Sequence, residues 1–179
     1  MKKILTFALS LLFVTTIVAQ NGQEPRNNQS SDSPRMWIGG GVAFGNLSSR
    51  DFTVAPNFGM LIKDNIGFGG TIFLSSGNNS SAWDLQPYIR YYIPVDDRIS
   101  FFGDGFVGIG GGDIITGVDG GEYSTLDFGA RAGIQYWFTQ RWSMTASNNV
   151  LVYNSIDGAG DFGMGLDFSS LNFSFFFHF

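Results

Sequence analysis

Five charged side chains stand out by their setting. Asp84, Arg90, Asp104, Asp127 and Arg131 sit among Gly, Ser, Thr, Gln and Tyr on one parity of alternating segments whose other parity is large and apolar. In an extended strand, one parity is one face. Arg90 and Arg131 lie on the fourth and sixth such segments and Asp104 on the fifth, so a meander sets Asp104 beside both. Gathered in a confined space, these charges have two uses. One is a charged constriction that selects solutes. The other, the leading expectation, is a structural network plugging a narrow interior, with Tyr88, Tyr92, Phe73, Phe102, Phe106, Trp137 and Phe176 adding bulk. In that reading Asp104 pairs with at least one Arg, and Asp84 and Asp127 are further partners.

Little else suggests chemistry. His178 is the only His and reads as a strand-end residue among Phe. A Ser–His hydrolase needs a neighbouring nucleophile and an orienting acid, and no second feature supplies them. There is no Cys, which excludes disulfides, a thiolate nucleophile and a lipidated Cys anchor. With one His as well, no zinc site is expected. Asp113, Asp119, Glu122, Asp157, Asp161 and Asp167 fall in Gly-rich links, but their spacing fits no EF-hand, so a solvated acidic surface is expected. "GGGDIITGVDGGE" lacks the Lys and the strand-to-helix setting of a phosphate loop. No catalytic residue, metal or cofactor is assigned.

The segments that carry these residues read as strands throughout. They cover residues 36–46, 52–62, 66–76, 82–94, 99–111, 126–138, 142–154 and 171–179. The sixth is the cleanest: Leu126, Phe128, Ala130, Ala132, Ile134, Tyr136 and Phe138 oppose Asp127, Gly129, Arg131, Gly133, Gln135 and Trp137. The seventh is weaker, because Asn148 falls on its apolar face. Strands of ~9–11 residues match a tilted bilayer span.

Two features choose between a soluble barrel and a membrane barrel. The apolar faces carry large side chains and almost no charge, and eight such faces would overfill a small soluble core. The polar faces carry small residues and opposite charges able to pair, as an interior requires. The links also alternate. Residues 63–65, 96–98 and 139–141 are tight polar turns, while 47–51, 77–81, 112–122 and 155–167 are longer, the outer-membrane pattern of short periplasmic and long extracellular connections. Tyr91, Tyr92, Phe101, Tyr136, Phe138, Trp142, Phe177 and Phe179 gather beside the short turns as an interfacial girdle. The expected fold is all-β, an eight-stranded antiparallel up-and-down transmembrane β-barrel.

Composition agrees. Charged residues make up 14% of the 179, below the usual ~25%. The net charge of −5 gives no basic excess for nucleic acid. Residues 1–19, with Lys2, Lys3, an apolar run and Ala19 before Gln20, read as a signal peptide. Residues 20–35 read as a disordered polar lead-in, and 36–179 as the barrel.

Within 36–179, "APNFGMLIKDNIGFGGTIF", "LQPYIRYYIPV", "FFGDGFVGIGGG" and "ARAGIQYWFTQRWSM" resemble strand–turn–strand units of the small outer-membrane β-barrel family, in the size class of OmpA and OmpX. The closing "FSFFFHF" resembles the C-terminal signal read by the barrel-assembly machinery, with Phe173, Phe175, Phe177 and Phe179 at its apolar and terminal positions. The resemblance implies an integral protein of the Gram-negative outer membrane, with lipid and, during biogenesis, the assembly machinery as partners. Long loops are then extracellular and termini periplasmic. The expected role is structural or surface-interacting, without enzymatic activity, in a monomer with a plugged lumen. The alternative is a narrow porin-like channel for ions or small solutes.

Overall fold

The computed structural model describes residues 35–44, 52–77, 80–116, 119–165 and 171–179, with residues 43–44, 114–116 and 119–120 described by their backbone. The signal segment, nearly all of the polar lead-in and the link 47–51 lie outside the described residues.

Nine strands follow in order: β1 (Met36–Phe44), β2 (Phe52–Lys63), β3 (Ile66–Ser76), β4 (Ser80–Pro94), β5 (Ile99–Thr116), β6 (Asp119–Trp137), β7 (Trp142–Ile156), β8 (Ala159–Met164) and β9 (Asn172–His178). Each pairs antiparallel with its neighbour from β1 to β7. β8 and β9 pair with successive halves of β7, and β9 also pairs with β1, which closes the ring. The result is an eight-staved barrel whose eighth stave is β8 plus β9.

Local chemistry sets the short turns. Asp64-Asn65 reverses the chain between β2 and β3. The Asp96 carboxylate accepts from the amides of Arg98 and Ile99, both at 2.7 Å, and steers the chain from β4 into β5. Thr139 Oγ1 accepts from the Arg141 and Trp142 amides and does the same before β7. Such side-chain-to-backbone bonds are why Asp and Thr suit these positions.

At the opposite end two of the longer links are largely strand rather than loop. Residues 112–116 and 119–122 continue the β5–β6 ladder, with Gly112 facing Tyr123 and Thr116 facing Asp119. Residues 155–167 contain the top of β7, a two-residue turn and all of β8. That turn is Asp157-Gly158, with φ of 50° and 85°. Two successive positive φ values give the mirror-image turn whose twist matches a hairpin, and Asp-Gly is its preferred sequence. The hairpin is tied to β6, since Asp157 Oδ1 accepts from the Ser124 amide at 2.8 Å. β5 and β6 have 18 and 19 residues, well beyond the ~9–11 a span needs.

The faces are inverted relative to a soluble barrel. Ile89 is 59% exposed and its neighbour Arg90 is 4% exposed. Ile38, Phe58, Phe68, Trp83, Val107, Ile109, Phe128, Ile134, Phe173 and Phe175 all point outward and are exposed, while Asn57, Gln86, Arg90, Asp104, Asp127, Gln135 and Thr145 are buried. The buried apolar cluster is small: Trp37, Tyr88, Phe106 and Phe176. Trp37 fits because Gly67 lacks a side chain; a Cβ there would lie 2.8 Å from the indole. An apolar exterior of this extent needs hydrocarbon around it.

The depth dependence of that exterior is testable. Ile89→Arg should cost about 2–4 kcal/mol near the midplane, and Ile93→Arg, beside the β4–β5 turn, about 1 kcal/mol or less. Equilibrium unfolding from lipid bilayers measures both, and equal costs would contradict this placement of the span.

Candidate functional site in the barrel lumen

The register of β4, β5 and β6 sets the central charges at one level. Asp104 is directly opposite Arg90 on one side and Arg131 on the other. Arg90 grips it in a bidentate pair, Nε to Oδ1 at 2.7 Å and Nη2 to Oδ2 at 2.8 Å. Such a fork is the strong form of the ion pair. Arg131 Nη1 stands 3.9 Å from the same carboxylate. The Phe102 ring lies 3.8 Å from the Arg90 guanidinium carbon, with Tyr88 and Tyr92 at 5.1 and 5.7 Å. Phe106 lies 5.0 Å from that of Arg131. Tyr92, assigned from sequence to the interfacial girdle as well as the polar face, turns inward to this layer.

Asp84 and Asp127 are not direct partners of either Arg. Asp84 Oδ2 accepts from Gln86 Nε2 at 2.7 Å, and Gln86 Oε1 in turn accepts from Arg131 Nη2 at 2.9 Å. Asp127 Oδ1 accepts from Asn154 Nδ2 at 2.7 Å. Height is the reason. Asp127 faces Gly108 on β5, and Asp84 faces Gly110. Gly108 is four residues above Asp104, roughly 13 Å along the strand. The five charges therefore occupy two levels, bridged by Gln86.

Three members of this network carry no charge: Gln86, Asn149 and Asn154. Gln86 shares the parity of Asp84 and Arg90, so its inward direction is readable in the sequence. The two Asn residues are not. Asn149 Oδ1 accepts from Arg131 Nε at 3.1 Å, so residues of opposite parity on β7 both point inward. A β-bulge allows this. Ala130 faces Leu151 while Arg131 faces Asn149, which leaves Val150 without a partner and shifts the phase of β7. Asn148, the residue that spoiled the alternation of the seventh segment, sits beside it and is buried.

Two further polar layers fill the end nearer the short turns. Trp37 Nε1 and the Tyr88 hydroxyl both donate to Asn57 Oδ1, at 3.0 and 2.9 Å, and Asn57 Nδ2 donates to Thr71 Oγ1 at 2.6 Å. His178 points into the barrel and is 4% exposed. Its Nε2 is 2.8 Å from Ser143 Oγ, which accepts from Gln135 Nε2 at 2.8 Å. This Ser–His contact is not legible in the sequence, because it joins β7 to β9 across the ladder. The Trp137 ring lies 4.2 Å from the His178 ring, tilted by 43°.

The terminal Phe residues face the other way. Phe173, Phe175 and Phe179 are exposed on the outer wall. Phe177 packs on Trp142 at 5.2 Å and Phe179 at 6.2 Å, within an aromatic belt beside the short turns. Among the described residues, no three His, Asp or Glu side chains converge as metal ligands.

Asp104 is the sole direct counter-charge of Arg90 among the described residues. Asp104→Ala should destabilise the barrel by roughly 3–5 kcal/mol, since it strands a buried guanidinium. Replacing Arg90 and Asp104 together by Leu should recover much of that loss. Denaturant unfolding in micelles reads both, and a silent Asp104→Ala would remove the pair from the stability of the fold.

No protein-family model and no curated protein matches the chain. Solved structures do. The N-terminal β-barrel domain of Pseudomonas aeruginosa OprF aligns with a TM-score of 0.62 at 13% identity, over 82% of this chain and 98% of that one. Neisserial surface protein A, NspA, aligns with a TM-score of 0.56 at 10% identity, over 80% and 95%. At such identities the likeness is one of fold: this chain folds as a small outer-membrane β-barrel of eight antiparallel staves.

Proposed function

We propose that the protein is an integral β-barrel of the bacterial outer membrane, without enzymatic activity, with a structural or surface-interaction role and a lumen plugged by its own side chains. The observation that carries the plug is the Arg90–Asp104 fork with Phe102 against the guanidinium, flanked by Arg131 on the facing strand. An eight-stranded barrel is just wide enough for side chains to fill. The polar layers around Asn57 and His178 add two further obstructions on the same axis.

Among the described residues a nucleophile and a base meet at Ser143 and His178, and the setting of that pair supports the absence of enzymatic activity. Ser143 is fully buried beside His178, and a substrate carbonyl has no approach to its hydroxyl. The exposed apolar wall supports lipid as the partner of the outer face. In this reading Phe173, Phe175, Phe177 and Phe179 also present the assembly signal during biogenesis. The short turns at Asn65 and Gln140 are periplasmic, and the tall β5–β6 and β7–β8 hairpins are extracellular.

Two measurements test this. Cysteines placed at Gly158 or Gly160 should label from outside intact cells, and those at Asn65 or Gln140 should not; the reverse pattern inverts the orientation. In planar bilayers the wild type should show little steady conductance, and the Arg90→Ala/Asp104→Ala double variant should raise it. A stable open wild-type pore would favour the narrow channel for ions or small solutes instead.

A further inference from the structure

Above the Arg90–Asp104–Arg131 level, towards the tall hairpins, β3 to β6 line a half-open cavity of about 160 Å³. Phe73, Tyr123 and Thr125 line it, together with Asp84 and Asp127. Space exists there because β5 carries bare backbone between the two acids. A Cβ at Gly108 would come within 3.0 Å of Asp84 Oδ1 and 3.3 Å of the Asp127 Cβ.

The Asp84 carboxylate is under-served. Asp84 Oδ1 is buried and receives no hydrogen bond. Asp127 is only 7% exposed, and Asn154 serves its Oδ1. Charge is unbalanced as well. Among the described lumen residues, Asp84, Asp104 and Asp127 face only Arg90 and Arg131, and Asp104 already engages Arg90 fully. A carboxylate oxygen out of water and without a donor is costly. A cation in the cavity would relieve both deficits.

We propose that this cavity binds a small organic cation of the alkylammonium class. The lining decides the class: two carboxylates beside Phe73 and Tyr123 combine negative charge with aromatic surface, which suits soft, weakly hydrated cations, alkylammonium groups above all. A bare divalent ion instead wants six or more oxygen ligands, and no three acidic side chains converge here among the described residues. The cavity lies above the central ion pair, so the site is independent of whether the lumen conducts.

The probe is tetramethylammonium chloride, titrated calorimetrically into the full chain in lipid nanodiscs. Wild type should bind it saturably. Asp127→Asn should weaken binding on the order of tenfold or more, and Asp161→Asn, on exposed β8 and outside the cavity, should leave it unchanged. Ala82→Leu narrows the same cavity without touching either acid and should also weaken binding, so it decides the matter if Asp127→Asn fails to fold. Four results would overturn the proposal: no saturable binding to wild type, equal binding of uncharged tert-butanol, binding insensitive to both cavity variants, or displacement by stoichiometric calcium.

Discussion

In hydrocarbon a backbone amide has no water to turn to, so every N–H and C=O of a spanning strand must find its partner within the chain. The rest of this architecture follows from that demand. A sheet with two open edges would fail it, and the ring closed by β9 between β1 and β7 meets it. Once the ring is closed, a side chain has only two destinations, lipid or lumen. Ile89 and Arg90 are neighbours in sequence and opposites in environment for this reason alone.

The lumen then faces the opposite difficulty from a soluble core. It must fill a narrow space with polar groups and leave few of them wanting. Arg90 is held by one carboxylate in a two-point fork, and Arg131 divides itself among Asp104, Gln86 and Asn149. Neutral amides do much of this work: Gln86, Asn57, Gln135, Asn149 and Asn154 each bridge or terminate a chain of hydrogen bonds. An amide can donate and accept at once, and it enters low dielectric without the desolvation cost of an ion.

The parts of this design differ in how far the sequence displays them. Alternation and face volume give the strands, the inversion and the level of Arg90, Asp104 and Arg131, because parity and meander order determine them. The heights of Asp84 and Asp127 depend on register, which hydropathy does not carry. The inward turn of both Asn149 and Asn154 depends on one unpaired residue, Val150, and the only trace of it is a disturbed pattern at Asn148. The tall hairpins were hidden by glycine, whose lack of a side chain erases alternation in residues 110–112 and 120–121. The β7–β8 turn does carry a readable sign, since Asp157-Gly158 is a hairpin dipeptide.

The seam between β1 and β9 is unlike the other ladders. It has four residue pairs, Trp37 with His178 through Gly40 with Phe175, extended by the paired backbone bonds of Met36 and Phe179. Its partners stand at opposite ends of the barrel's path, whereas the ladders from β1 to β7 join consecutive strands. Bringing such distant residues together carries the largest chain-closure entropy in the molecule, and little ladder offsets it. Assembly therefore has a direction: hairpins zip locally and the circle is sealed last. The seal depends on shape as much as on hydrogen bonds, because Gly39 lies flat against Phe176 and the Trp37 ring meets that of His178. A bulky residue at position 39 would leave the staves able to form and deny them a circle.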